Sequence, residues 1–96
     1  MDGRIVYEVE LHDNATRDIR KHHKAGNKLL VKRIYNFLSE LNTHPRTGTG
    51  KPECLKGYKI ETWSRRIDQE HRLIYEIHEG KLKVLAISAH GHYGDK

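Results

Sequence analysis

Ninety-six residues and 11.2 kDa suit one compact domain, residues 1–96, whose core takes up roughly 60–70% of the unfolded surface. Apolar residues make up 35% and charged residues 32%, and no apolar run approaches the roughly 18 residues of a transmembrane helix, which excludes fibrous, collagen-like and membrane-spanning classes. Eighteen Lys and Arg against thirteen Asp and Glu leave a net charge of +5, with eight neutral histidines in reserve, and this points to an anionic partner.

In chain order, Arg4 to Leu11 predicts a strand, with β-branched Ile5 and Val6 followed by Val9. Asp13 or Asn14 offers an N-cap for a helix from Ala15 to about Ala25, and Gly26-Asn27 breaks it. A second helix carries Leu29, Leu30, Ile34, Phe37, Leu38 and Leu41 at helical spacing and ends at His44-Pro45. A Gly- and Pro-bearing loop spans Arg46 to Pro52. Short strands then follow at about Leu55–Lys59, Trp63–Ile67, Arg72–His78 and Lys81–Ala89, the last two joined by a tight turn at Glu79-Gly80. A strand, two helices and a run of strands predict an α+β fold: an antiparallel sheet with both helices on one face. The expected core adds Ile67, Leu73, Tyr75 and Leu85 to the helical residues.

The basic surplus is local. From Asn14 to Arg33 seven cations (Arg17, Arg20, Lys21, Lys24, Lys28, Lys32, Arg33) stand against one acid, Asp18, so that segment is +6 and the remainder of the chain is −1. Such a stripe fits a nucleic acid or an acidic protein segment, and equally a solvated helix face. A lipid surface fits less well, because the segment has no Trp or Phe anchor. The single cysteine, Cys54, makes neither an internal disulfide nor a thiolate cluster, and Met1-Asp2-Gly3-Arg4 does not begin like a secretory signal. A reducing cytoplasm is the expected compartment.

Three chemical readings fail or stay incomplete. Gly48-Thr49-Gly50-Lys51-Pro52 is not a phosphate-binding loop, since Pro45 stands where a glycine is required and Pro52 where Ser or Thr is required. His90 and His92 have the spacing of two metal ligands, but His71, His78, His12 or His44 would have to converge on them to complete a site. Ser64 lacks the flanking glycines of a nucleophile elbow. A fourth set is richer: Glu53, Lys56, Arg65, Arg66, Arg72, His92 and Tyr93. Cleaving RNA without a metal needs a base for the 2′-hydroxyl, an acid for the leaving 5′-oxygen and cations around the phosphorane. A carboxylate among cations, a histidine titrating near about 6.5, forked arginines and a stacking tyrosine supply those parts. A surface lattice of ion pairs accounts for the same residues by composition.

Contiguous wording separates the two. Gly48-Thr49-Gly50-Lys51-Pro52-Glu53-Cys54-Leu55-Lys56, then Trp63-Ser64-Arg65-Arg66-Ile67-Asp68-Gln69-Glu70-His71-Arg72-Leu73-Ile74-Tyr75 and the closing Gly91-His92-Tyr93, resemble the YoeB/Txe toxins of bacterial toxin–antitoxin modules. These belong to the RelE superfamily of small α+β ribonucleases that enter the ribosomal A site and cut mRNA. The resemblance runs from Pro45 to Tyr93, about half the chain. It implies Glu53 as general base, Lys56 as a charge stabiliser, Arg66 and Arg72 as phosphate contacts, His92 as general acid and Tyr93 as the residue that orients substrate. Lys51, Arg65 and His90, with Arg17, Arg20 and Lys24 of the stripe, are expected to contact RNA.

The implied partners are an antitoxin with an acidic segment, the small-subunit RNA of the ribosomal A site, mRNA, and operator DNA through the antitoxin alone. Homodimers occur in the family, and no cofactor, metal or membrane is implied. Some positions depart from the pattern: Gly94-Asp95-Lys96 extend past the tyrosine, His90 replaces a frequent arginine, and Glu61-Thr62 replaces Ser-Gly. The competing reading is a catalytically silent module that works only through antitoxin and operator DNA.

Overall fold

The computed structural model describes residues 5–91, so His92 and Tyr93 lie outside the described residues. Strand β1 (Glu8–Leu11) leads into helices α1 (Asp13–Lys24) and α2 (Lys28–Leu41), followed by β2 (Glu53–Leu55), β3 (Thr62–Arg66), β4 (Arg72–His78) and β5 (Lys83–Ser88). The five strands form one sheet in the order β1-β5-β4-β3-β2. The pairs β2–β3, β3–β4 and β4–β5 are antiparallel, while β1 joins β5 in parallel. The parallel pair is an addition to the expected antiparallel sheet. The two helices and three strands between β1 and β5 supply the long crossover that a parallel pair requires.

Local chemistry sets the helix ends. The N-cap of α1 is His12, one residue before the expected Asp13 or Asn14, and its Nδ1 accepts the Asn14 backbone N–H at 3.1 Å. Asp13 instead occupies the first turn, where the helix dipole favours an acid, and Lys21 to Lys24 put cations in the last. The helix stops in a Schellman turn: Gly26 takes φ +77° and its N–H reaches His23 O, while Asn27 N–H reaches His22 O. The carboxy end of α2 is tied to the approach to β1, since Tyr7 N–H donates to Asn42 O at 2.7 Å and Asn42 Nδ2 donates to Tyr7 O.

Both helices pack on one face of the sheet. Ala15 and Ile19 of α1 and Ile34, Phe37 and Leu41 of α2 meet Leu73, Tyr75 and Ile77 of β4 and Val84 and Ala86 of β5. Two expected core residues fall elsewhere. Leu29 is 74% exposed, because the buried row of α2 runs through Val31, Ile34, Phe37 and Leu41 and leaves Leu29 on its flank. Leu85 is half-buried: it lies between Val84 and Ala86 on β5, so the alternation of a strand sends it to the other face.

Several boundaries also move. Among the described residues of the first predicted strand only Glu8–Leu11 pairs, and the strand expected at Leu55–Lys59 forms earlier, at Glu53–Leu55, before the left-handed Gly57. The tight two-residue turn at Glu79-Gly80 is replaced by a 3-10 turn over Glu79–Lys81, with Leu82 left-handed at φ 51°. Among the described residues no helix is long and apolar enough to cross a membrane.

Candidate functional site

Strand β3 carries Trp63-Ser64-Arg65-Arg66, and its period of two splits the arginines between the faces of the sheet. Arg65 turns toward the helices and is fully buried. All five of its N–H donors are engaged: Nε with Tyr75 OH, Nη1 with Glu40 and Thr49 O, and Nη2 with His44 O and Thr47 O. Its guanidinium also lies 6.0 Å from the Phe37 ring centre and 5.8 Å from that of Tyr75. This corrects the expectation that Arg65 contacts RNA, because no donor is left and no surface is open to a phosphate. Arg65 instead gathers the loop from His44 to Thr49 against α2.

Burial opposes the charge on Glu40, but the Thr49 N–H and Arg65 outweigh it and hold the carboxyl below its usual range. Gly48 and Gly50 are required in this loop. A Cβ on Gly50 would stand 2.6 Å from Phe37 Cζ, and one on Gly48 would overlap the Glu40 carboxylate.

Arg66 is exposed on the opposite face and pairs directly with Arg72 of β4. On the same face, two residues back along β3, Ser64 pairs with Glu53 of β2. The sheet therefore brings Glu53, Arg66 and Arg72 to one face, away from the helices. The β2 side of this group is held by the Arg66 N–H, which donates to Gly50 O at 2.7 Å. Lys51 follows in a left-handed conformation at φ 52°, a strained geometry for a side-chain-bearing residue, and the chain then enters β2 at Glu53. Lys51 and Lys56 are both exposed at the ends of β2. Ser64 Oγ, between Glu53 and Ile74 in the register, is buried and has no hydrogen-bond partner among the described residues.

The third approach to the site is the chain after β5. Arg72 N–H donates to Gly91 O at 3.0 Å, so this segment runs beside the start of β4 and reaches Arg72 one residue before His92. Gly91 makes the bend with φ +75°.

Of the histidines weighed as metal ligands, His71 and His90 do meet. Their ring centres lie 4.7 Å apart, and His22, which ligand spacing does not single out, completes a cluster at 4.8 Å and 5.4 Å. A different signal marks His22: with Ala15 and Ile19 it forms the buried row of α1. His12 caps α1, His44 contacts Thr43, and His78 pairs with Glu76. Among the described residues no group of His, Cys, Asp or Glu is arranged to hold a metal ion.

The departure at Glu61-Thr62 has a structural counterpart. Arg46 grips Glu61 through Nε at 2.7 Å and Nη2 at 3.0 Å, and Glu61 also accepts the Trp63 indole N–H at 2.8 Å. The Arg46 hydrogen bond, working against burial, holds the Glu61 carboxyl below its usual range. The basic stripe is on the surface, with Arg17, Arg20, Lys21 and Lys24 exposed on α1 and Lys28, Lys32 and Arg33 exposed on α2.

Two helices on one face of a mostly antiparallel sheet, with a cationic site on the other, define the RelE-like α+β toxin fold. A YoeB/ParE toxin from Agrobacterium tumefaciens superposes with a TM-score of 0.81 at 28% identity, over 90% of this chain and 99% of that one. The YoeB of the heterotetrameric YoeB–YefM toxin–antitoxin complex from Staphylococcus aureus superposes at 0.74 with 30% identity, over 91% and 98%. In sequence, the toxin YoeB of Mycobacterium bovis is 41% identical over 69 residues, 72% of this chain and 79% of that protein. The chain belongs to the YoeB-like toxins of bacterial type II toxin–antitoxin systems, whose family model matches residues 11–93.

Proposed function

We propose that this toxin is an endoribonuclease that cuts mRNA in the ribosomal A site by general acid–base chemistry. The observation that carries the reading is the shared face of Glu53, Arg66 and Arg72, met by the chain one residue before His92. In this reading Glu53 takes the proton of the 2′-hydroxyl as its oxygen attacks the phosphorus. Arg66 and Arg72, with Lys56, balance the charge on the phosphorane, and His92 protonates the departing 5′-oxygen. Tyr93 orients the substrate, and Lys51 and His90 add contacts to RNA. The reaction is a transesterification, so its products carry a 2′,3′-cyclic phosphate and a 5′-hydroxyl.

The exposed stripe on α1 faces ribosomal RNA in the cytoplasm, and the same cations suit an acidic antitoxin segment that folds on binding. The Staphylococcus aureus YoeB–YefM complex supports an antitoxin partner for this chain, and operator DNA is reached only through that partner.

Primer extension on a message under translation tests the proposal. The wild-type chain produces stops within the A-site codon; Glu53→Gln and Arg72→Ala lose them by at least about 100-fold. Wild-type protein that arrests nothing and cleaves nothing would leave the silent binding module as the better reading.

A further inference from the structure

His71 stands at the junction of the histidine cluster and the chain leading to His92. The Gly91 N–H donates to His71 Nδ1 at 2.9 Å, while Gly91 O accepts the Arg72 N–H. Both backbone groups of Gly91 are thus held by consecutive residues at the start of β4. A ring nitrogen accepts an N–H only while it carries no proton, so this hydrogen bond requires His71 to be neutral with its proton on Nε2. His22 is fixed with a proton on the same nitrogen, because its Nε2 faces Ala89 O at 2.9 Å and a carbonyl only accepts. The His90 ring stacks on that of His22 at 5.4 Å and is tilted against that of His71 at 4.7 Å.

The charged groups around His71 come from every neighbouring element. Helix α1 supplies His22 and Asp18, the latter accepting the Ala89 N–H at 2.9 Å. The turn before β4 supplies Asp68, which accepts the His71 backbone N–H at 2.8 Å, and Glu70. Helix α2 supplies Arg33, bonded to Ile67 O, and Lys28, which lines the cleft beside His71. Among the described residues His90 and Arg72 also lie beside it. Burial pushes the His71 pKa below its ordinary value of 6.5; Asp68 and Glu70 pull it back, and His22 and His90 press it down. A folded pKa below the unfolded one means that the neutral form supports the fold fully above about 6.5, and that this support is lost as pH falls through the folded value.

We propose that His71 is a positioning residue for the cleavage reaction: as a neutral acceptor it seats Gly91 and so fixes the entry of the chain into His92, and its protonation releases that seat. The inference rests on the reading of His92 as general acid. It makes the toxin's activity fall as pH drops below about 6.5 through a residue that acts by seating Gly91.

Two measurements test it on the full chain. In the first, nitrogen-15 NMR follows the His71 ring and the Gly91 amide across pH 5 to 8. The expected result is an Nε2–H tautomer at high pH and a Gly91 amide that shifts with the midpoint of His71. In the second, cleavage is compared for His71→Ala and His71→Asn, since the asparagine amide oxygen can occupy the acceptor position of Nδ1. His71→Ala is expected to lower kcat about 100-fold with little change in KM. His71→Asn restores most of that loss and no longer shows the acid fall due to His71.

Full activity in His71→Ala, or a Gly91 amide blind to the His71 titration, overturns the proposal. So does a folded His71→Asn no more active than His71→Ala. If a variant fails to fold, the wild-type titration decides. Cleavage that survives His92→Ala would overturn the general-acid reading itself, and the Gly91 titration then tests the seat on its own.

Discussion

On a strand, side chains one residue apart leave the sheet on opposite faces, and Arg65 and Arg66 show what this does to two identical residues. Arg65 is buried with every donor engaged, whereas Arg66 is exposed beside Arg72. Removing the first leaves Glu40 and three loop carbonyls without their partner; removing the second removes a surface cation. Arg65→Ala is therefore expected to cost about 3–5 kcal/mol, a large part of the roughly 5–15 kcal/mol that a domain of this kind holds. Arg66→Ala should stay within about 0.5 kcal/mol of wild type while losing cleavage. Urea melts of the two variants, read beside their cleavage rates, check the contrast; equal stabilities would contradict it. Both arginines are equally visible in the sequence, and the strand period alone says that only one of them shares a face with Arg72. Which one does depends on the register of β3 against β4, which pairs Arg66 with Arg72, and that is a tertiary fact. His22 is legible in the same way, from its place in the buried row of α1, but the basic residues around it mask the pattern.

At the scale of elements, the loop from His44 to Gly50 links the core to the site. It wraps Arg65 on one side and presents Gly50 O to the Arg66 N–H on the other. A methyl group on Gly50 meets Phe37 and also finds φ +81° unfavourable, so Gly50→Ala is expected to lose about 2 kcal/mol or more and to lower cleavage through Arg66. Thermal unfolding and turnover should fall together, and an unchanged melting temperature would contradict the packing described. The loop also has an acid limit. Glu40 and Glu61 titrate below about 4.5, so the folded chain binds fewer protons than the unfolded one in that range. Their contribution is present above that value and is lost as pH falls through the folded values. Glu40→Gln should therefore flatten the decline in urea stability as pH falls below about 4.5, and an identical decline in both proteins would argue against the Arg65–Glu40 pair.

The helices are legible from periodicity and from Gly26, and β4 from its apolar run. The ends of β1, β2 and β5 are not, because a strand ends where its partner ends. The parallel β1–β5 pair is likewise invisible in the sequence, since nothing local records a contact between residues as far apart as Glu8 and Lys83.

Across the whole molecule, the candidate site and the basic stripe occupy different surfaces. The site lies on the sheet face away from the helices, while the +6 segment lines the exterior of α1 and α2. Reversing Arg17, Arg20 and Lys24, all exposed, should leave the fold intact, weaken binding to ribosomes and to the antitoxin, and reduce the salt dependence by about one per lost phosphate contact. Normal binding of both partners in low salt would make the stripe a solvated helix face.

The central claim is that this toxin cuts RNA by moving protons between its own side chains and the ribose, and the ends of the cut RNA record that directly. Message cleaved on translating ribosomes by the wild-type chain should carry a 2′,3′-cyclic phosphate on the upstream fragment and a 5′-hydroxyl on the downstream one. A 5′-phosphate on the downstream fragment would contradict the account.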